Sequence, residues 1–258
     1  MESIQIETTT KEVNSPEIIS NIVRCQCFCR GLSVRRKNIY GINKNFKKLQ
    51  NPFEKTLNGY HMINKAPIKE SVWEEINCQI VKNVFSIADQ ANGNHVSGKD
   101  NRFDNIDVSN KSTKINGNNV SISSYRLTSV CNDKNIGNPQ VILNEIEKKD
   151  ESFEYYSILI RSEKNNDEKI TYTWYIIPKD CYIFKIVNLT PKLGKNGKKK
   201  GEVVGWQSKY CDITFSMSSQ LWYKFNIECI EKYKVCCTDV DNSKSKITYS
   251  QIFSLLSL

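Results

Sequence analysis

Asn116-Gly117 constrains this chain more than any other pair of its residues. The dipeptide suits the left-handed conformations of a two-residue hairpin turn, and it stands between two segments that alternate in character. Before it runs Ile106 to Ile115. If that run is extended, Asp107, Ser109, Lys111 and Thr113 share one face and Val108, Asn110, Ser112 and Lys114 the other. After it, Val120-Ser121-Ile122-Ser123-Ser124-Tyr125 alternates as a returning strand.

Helical periodicity frames this hairpin. After Pro67, Ser71 and Glu74 have the spacing of a capping box, and Trp73, Ile76, Ile80, Val84 and Ile87 recur every three or four residues. The spacing predicts a helix from about Val72 to Gln90. On it Glu74 lies at the edge of the apolar side and Glu75 on the polar side. A turn-rich run, Asn101 to Asn105, follows. A second helix is predicted over Pro139 to Lys149, and two strands, Tyr155 to Arg161 and Ile170 to Pro178, form a hairpin across Ser162 to Glu168. Lys192 to Lys200, with five lysines and two glycines, reads as a mobile excursion. Cys211 to Phe215 reads as a short strand, and Ser216 to Trp222 opens a third helix or turn.

The chain has 258 residues, enough to close one core without staples, and its 39% hydrophobic content excludes wholesale disorder. No window approaches eighteen uncharged apolar residues, and the start, Met1 to Glu12, is acidic and Thr-rich, so a soluble, intracellular, cytoplasmic protein is expected. Residues 1–16 read as a flexible start and 17–258 as a single domain with its core at about 70–180. The ten cysteines then read as reduced thiols. Cys25-Gln26-Cys27-Phe28-Cys29 has the wrong gap for structural zinc, Cys236-Cys237 has no gap, and the histidines are only His61 and His95. No phosphate-binding loop or dinucleotide fingerprint is present, so no small-molecule cofactor is expected.

A net charge of +9 favours a polyanionic partner. Between Arg24 and Lys48 eight basic residues, among them Arg35, Arg36 and Lys37, accumulate without an acidic one and are interleaved with Phe28, Tyr40 and Phe46. Such a stretch suits contact with phosphates and bases; a solvated basic face is the plainer account. Ser123-Ser124-Tyr125-Arg126 sets two hydroxyls, a phenol and a guanidinium at a strand end, a group able to clamp a backbone phosphate.

Gly98-Lys99-Asp100 followed by Ser109-Asn110-Lys111 carries the sharpest chemical suggestion. Cutting a phosphodiester with a metal-activated water needs a carboxylate for the cation and a neighbouring positive group to orient the water or meet developing charge. Adjacent antiparallel strands bring such a pair together. Taken singly, Asp100 reads equally as a turn residue and Lys111 as a solvated strand lysine.

Taken together, Trp73-Glu74-Glu75-Ile76, His95-Val96-Ser97-Gly98-Lys99-Asp100, Val108-Ser109-Asn110-Lys111-Ser112 and Ile122-Ser123-Ser124-Tyr125-Arg126 resemble type II restriction endonucleases of the PD-(D/E)XK superfamily. Ser216 to Trp222 is a fainter echo. The resemblance implies an α/β fold with a restriction-endonuclease-like core, a central mixed β-sheet flanked by helices. It implies Asp100 as a Mg2+ ligand, Lys111 as the catalytic lysine and Glu74 as a second acid at the metal. No proline precedes Asp100, and Ser109 stands where the family carries an acid; a serine there can still hydrogen-bond at the metal's water shell. Asp107, or Asp104 in the turn, is the candidate for the missing charge.

The expectation is therefore a Mg2+-dependent, site-specific endonuclease acting on double-stranded DNA, of the kind found in restriction-modification. A two-fold target is most simply met by a homodimer. The alternatives are a catalytically inactive nucleic-acid-binding protein and a repair or recombination nuclease with the same core.

Overall fold

The computed structural model describes residues 47–85, 88–90, 100–103, 106–126, 139–164, 168–184, 190–195, 197, 200–215, 220–243, 246–248, 250, 251 and 254; for 88–90, 124–126, 139, 140, 145, 146, 149 and 150 the backbone alone is described. All of them belong to the unit Asn45–Leu258. A helix over residues 47–63 (α1) is followed by Glu70–Lys82 (α2), then by strands Ala88–Gln90 (β1), Asn101–Phe103 (β2), Ile106–Lys114 (β3) and Asn119–Arg126 (β4). Helix Pro139–Asp150 (α3) leads to Tyr155–Lys164 (β5) and Lys169–Pro178 (β6). Thr190–Leu193 (β7), Val203–Gln207 (β8), Cys211–Thr214 (β9) and Gln220–Asn226 (β10) come next, then a 3-10 helix, Ile227–Tyr233, and Lys234–Asp241 (β11).

Six strands form the central sheet in the order β1-β2-β3-β5-β6-β11. β3 and β5 run parallel and every other neighbour antiparallel, so the sheet is mixed. The remaining five form a second, antiparallel sheet in the order β4-β10-β9-β8-β7. The chain passes from one sheet to the other through the β3–β4 turn, where Gly117 has φ +58 and Asn116 bridges to Asn119. The Thr113 hydroxyl donates to the Ser121 carbonyl at 2.7 Å across that junction. The protein is thus a mixed α/β fold with a curled central sheet flanked by helices.

Apolar packing holds both sides of the central sheet. On one side Leu49, Phe53 and Leu57, each four residues apart on α1, are fully buried. Phe53 stacks on Trp174 of β6 at 6.1 Å, and Trp73 of α2 meets the same indole edge-on at 5.5 Å. On the other side Tyr156, Ile158, Ile160, Tyr175 and Ile177 join Val120, Ile122, Trp206, Ile213, Tyr223 and Phe225 of the second sheet and Ile142 of α3 in one cluster. Each such side chain contributes about 2 kcal/mol through burial.

Several elements differ from expectation. α2 begins at Glu70 behind Lys69, which makes no side-chain cap, and it stops at Lys82, so Ser71 and Glu74 form no capping box and Ala88–Gln90 is a strand. Asn101–Phe103, expected as a turn, is a strand because its backbone completes the β3 ladder. Gln220 to Trp222 belong to β10 instead of opening a helix: Leu221 and Tyr223, alternating, bury into the second sheet's core. Lys192 and Leu193 of the lysine-rich run lie in β7, and Gly194 bridges to Lys200; residues 196, 198 and 199 lie outside the described residues. Among the described residues no helix is long and apolar enough to cross a membrane. Residues 1–16 lie outside the described residues.

Candidate active site

Asp100 enters the site through the backbone. Its N–H donates to the Val108 carbonyl at 3.0 Å, so Asp100 and Asn101 both meet Val108 where the β2–β3 ladder begins. Asp100 Oδ2 accepts the Ser109 hydroxyl at 3.2 Å and the Asn110 N–H at 2.6 Å. Lys111, two residues beyond Ser109, brings its Nζ to 3.9 Å from the same oxygen. The ammonium also donates to Glu70 Oε1 at 2.8 Å and to the Asn110 carbonyl at 2.7 Å.

Helix α2 supplies the remaining charge. Glu70 and Glu74 lie four residues apart on one helical face. The Glu74 carbonyl accepts the Asn101 side-chain N–H at 3.1 Å, which ties this turn of α2 to β2. The Glu74 carboxylate has no hydrogen bond or ion pair among the described residues. Burial first, then the negative charges of Asp100 and Glu70, push its pKa up to about 7 against the opposing pull of Lys111. Burial alone would lower the pKa of Lys111, but Asp100, Glu70 and Glu74 outweigh it and hold the ammonium above its ordinary value. Three carboxylates thus face one buried cation, an excess of negative charge.

This donor set matches a small hard cation. Mg2+ is held by one or two carboxylates, with water and substrate phosphate completing its shell. Asp100, whose second oxygen is unused, and the unpartnered Glu74 offer two. Among the described residues no group of three His, Cys, Asp or Glu side chains is arranged to hold a metal ion.

Asp100, Ser109, Lys111 and Glu74 are therefore brought together. Asp107 is engaged elsewhere: Arg102 Nε and Nη2 donate to its two oxygens at 2.7 and 2.9 Å. Ser123 is half-buried in β4 of the second sheet, and the backbone of Ser124, Tyr125 and Arg126 continues that strand. Asp104, His95, Cys25 to Cys29, Arg35, Arg36 and Lys37 lie outside the described residues. Among the described cysteines, Cys78, Cys181, Cys211, Cys229, Cys236 and Cys237 form no disulfide. His61 is buried and hydrogen-bonded to the Tyr172 hydroxyl at 2.9 Å.

Glu70 escaped the sequence reading although its signal was present, an acid one helical turn before Glu74. It was missed because a helix start assigned to Ser71 leaves Glu70 outside the helix.

The chain matches no protein-family model and no curated protein. Among solved structures it is similar to a chain described as "Restriction endonuclease in complex with substrate DNA", with a TM-score of 0.41 and 11% sequence identity over 86% of this chain and 97% of that one. The architecture itself is defined by the strand register described above.

Proposed function

We propose that this protein is a metal-dependent endonuclease of the restriction-enzyme type, acting on double-stranded DNA. The observation that carries the reading is the buried Lys111 ammonium 3.9 Å from Asp100 Oδ2, with Glu74 unpartnered beside them. A lysine kept charged against burial and a carboxylate with a spare oxygen are the two groups that phosphodiester hydrolysis requires. In their sequence context they also resemble the PD-(D/E)XK pattern.

Asp100 and Glu74 are the groups that would hold the ion. When bound, Mg2+ supplies Lewis-acid polarisation of a phosphate oxygen. Asn110 and Ser109 fix Asp100 Oδ2, and its other oxygen would be the one available to hold the ion. Ser109 in this arrangement orients Asp100 by hydrogen bond and does not replace the family's missing acid as a ligand. Lys111, held by Glu70 and the Asn110 carbonyl, orients an incoming water or meets the charge that develops on the phosphate. Short two-fold targets, a homodimeric working form and an intracellular place beside DNA belong to the same proposal, as does phosphate contact by Ser123 to Arg126 and by Arg35, Arg36 and Lys37.

Incubating the purified chain with supercoiled plasmid and Mg2+ tests it. The expected outcome is discrete linear fragments that chelation abolishes. Asp100→Ala and Lys111→Ala are each expected to slow cleavage by about a hundred-fold or more while retaining DNA binding by gel shift. A retarded but intact plasmid would instead identify a nucleic-acid-binding protein without the chemistry. Cleavage confined to nicked or branched DNA would identify a repair nuclease.

A further inference from the structure

Behind the ladder that carries Asp100 and Lys111 lies a set of buried amides that the proposed chemistry does not use. Asn77 on α2, Asn101 on β2 and Asn110 on β3 are each 0 % exposed. Asn101 Nδ2 donates both to the Glu74 carbonyl at 3.1 Å and to Asn77 Oδ1 at 3.3 Å. This double donation fixes both amides, because turning either one round would set like groups against each other. So oriented, Asn77 Nδ2 and Asn101 Oδ1 have no partner, and neither side-chain polar atom of Asn110 has one. The indole N–H of Trp73, one turn before Asn77 on α2, is unpartnered as well.

Strand register gathers these groups. Asn101 lies opposite Val108, and Val108 and Asn110 alternate onto one side of β3. Asn110 is also the partner of Ser157 on β5. The Ser157 hydroxyl accepts from Trp174 Nε1 at 2.9 Å, and Trp174 packs on Trp73. The orphaned atoms are of both kinds: Asn77 Nδ2, Asn110 Nδ2 and Trp73 Nε1 are donors, whereas Asn101 Oδ1 and Asn110 Oδ1 are acceptors. A cation would answer only the acceptors and an anion only the donors. Water donates and accepts, and buried polar clusters of this kind are its usual place.

We propose that at least one ordered water is enclosed among Asn77, Asn101 and Asn110, and that it pins the β2–β3 ladder so that Asn110 positions the site. The main chain of Asn110 touches both charged groups: its N–H donates to Asp100 Oδ2 at 2.6 Å and its carbonyl accepts from Lys111 Nζ at 2.7 Å. A displacement of this one residue's main chain moves the acid and the lysine together. The positioning role rests on the reading of Asp100 and Lys111 as the cleavage pair; the water site does not.

A high-resolution crystal structure of the full chain without DNA decides the site. The expected result is water density bonded to the Asn110 amide and within hydrogen-bonding reach of Asn101 Oδ1 or Asn77 Nδ2. An Asn110 amide paired only with protein groups, or an ion in that place, overturns the proposal. Thermal melts of Asn101→Leu, Asn110→Leu and the double variant add a second reading. If the two amides share a water, the second substitution lowers the melting temperature by less than half of what it does alone; additive losses argue against sharing. Cleavage by Asn110→Leu, assayed well below its own melting temperature, is expected to slow about ten-fold with DNA affinity unchanged. An unchanged rate removes the positioning role. Should the wild type itself fail to cleave, the density and the melts still decide the water site.

Discussion

Glu74 shows at the scale of one residue how a site is maintained against stability. Its carboxylate is half-buried, unpartnered and raised to about 7 by burial, Asp100 and Glu70. A carboxyl whose folded pKa stands above its unfolded value favours folding when protonated and opposes it when ionised. Metal-free Glu74→Gln is therefore expected to melt higher than wild type at pH 8, by about 2 °C, and the difference should shrink as the pH falls through 7 toward 4.5. The same variant should lose cleavage, the trade-off common at functional sites. Equal melting temperatures at pH 8 would show that the carboxylate is satisfied. Asp100 and Lys111 were legible as neighbours from sequence through the resemblance of the segments that carry them, and not from either residue alone. Glu70 and Asn110 were not, since their roles arise from where α2 starts and from what is left unbonded beneath β3.

Elements were legible where local chemistry decides them. Asn116-Gly117 forms its turn, but β4 does not return along β3 as expected, because it leaves the central sheet and pairs with β10; α3 starts at Pro139, and β5 and β6 make the hairpin expected from their alternation. The end of α2 was not legible, because Val84 and Ile87 continue the helical stripe while pairing between β1 and β2 claims the backbone from Ala88 onward. α1 was overlooked in a run read for its charge, although Leu49, Phe53 and Leu57 recur every four residues. Two glycines separate local from tertiary demands. Gly117 needs positive φ but has open space around it, so Gly117→Ala is expected to cost about 1 kcal/mol. A Cβ at Gly205 would stand 2.0 Å from the Ile213 carbonyl oxygen on the paired strand β9, so Gly205→Ala is expected to cost about 3 kcal/mol or more. Denaturant unfolding of the two variants compares them; equal losses would mean that β8 and β9 separate easily.

For the whole molecule, the surplus of +9 predicts an association governed by phosphate neutralisation. Gel-shift affinity for a DNA duplex, measured with Ca2+ so that no cleavage is expected, should fall by about a hundred-fold or more between 50 and 200 mM salt. A flat salt response would separate the charge from DNA binding. The central mixed sheet could be anticipated from sequence, and so could β4 and β9 as strands, whereas their joining with β7, β8 and β10 into a second sheet could not: β7, β8 and β9 are short, and only mutual pairing and the apolar cluster beneath them assemble the layer. The most direct measurement of the central claim is a crystal structure of the protein bound to duplex DNA and Ca2+. The ion is expected against Asp100 and Glu74, with Lys111 Nζ within hydrogen-bonding distance of one phosphate. DNA seated on another face, with Asp100 and Lys111 paired and touching no phosphate, would contradict it.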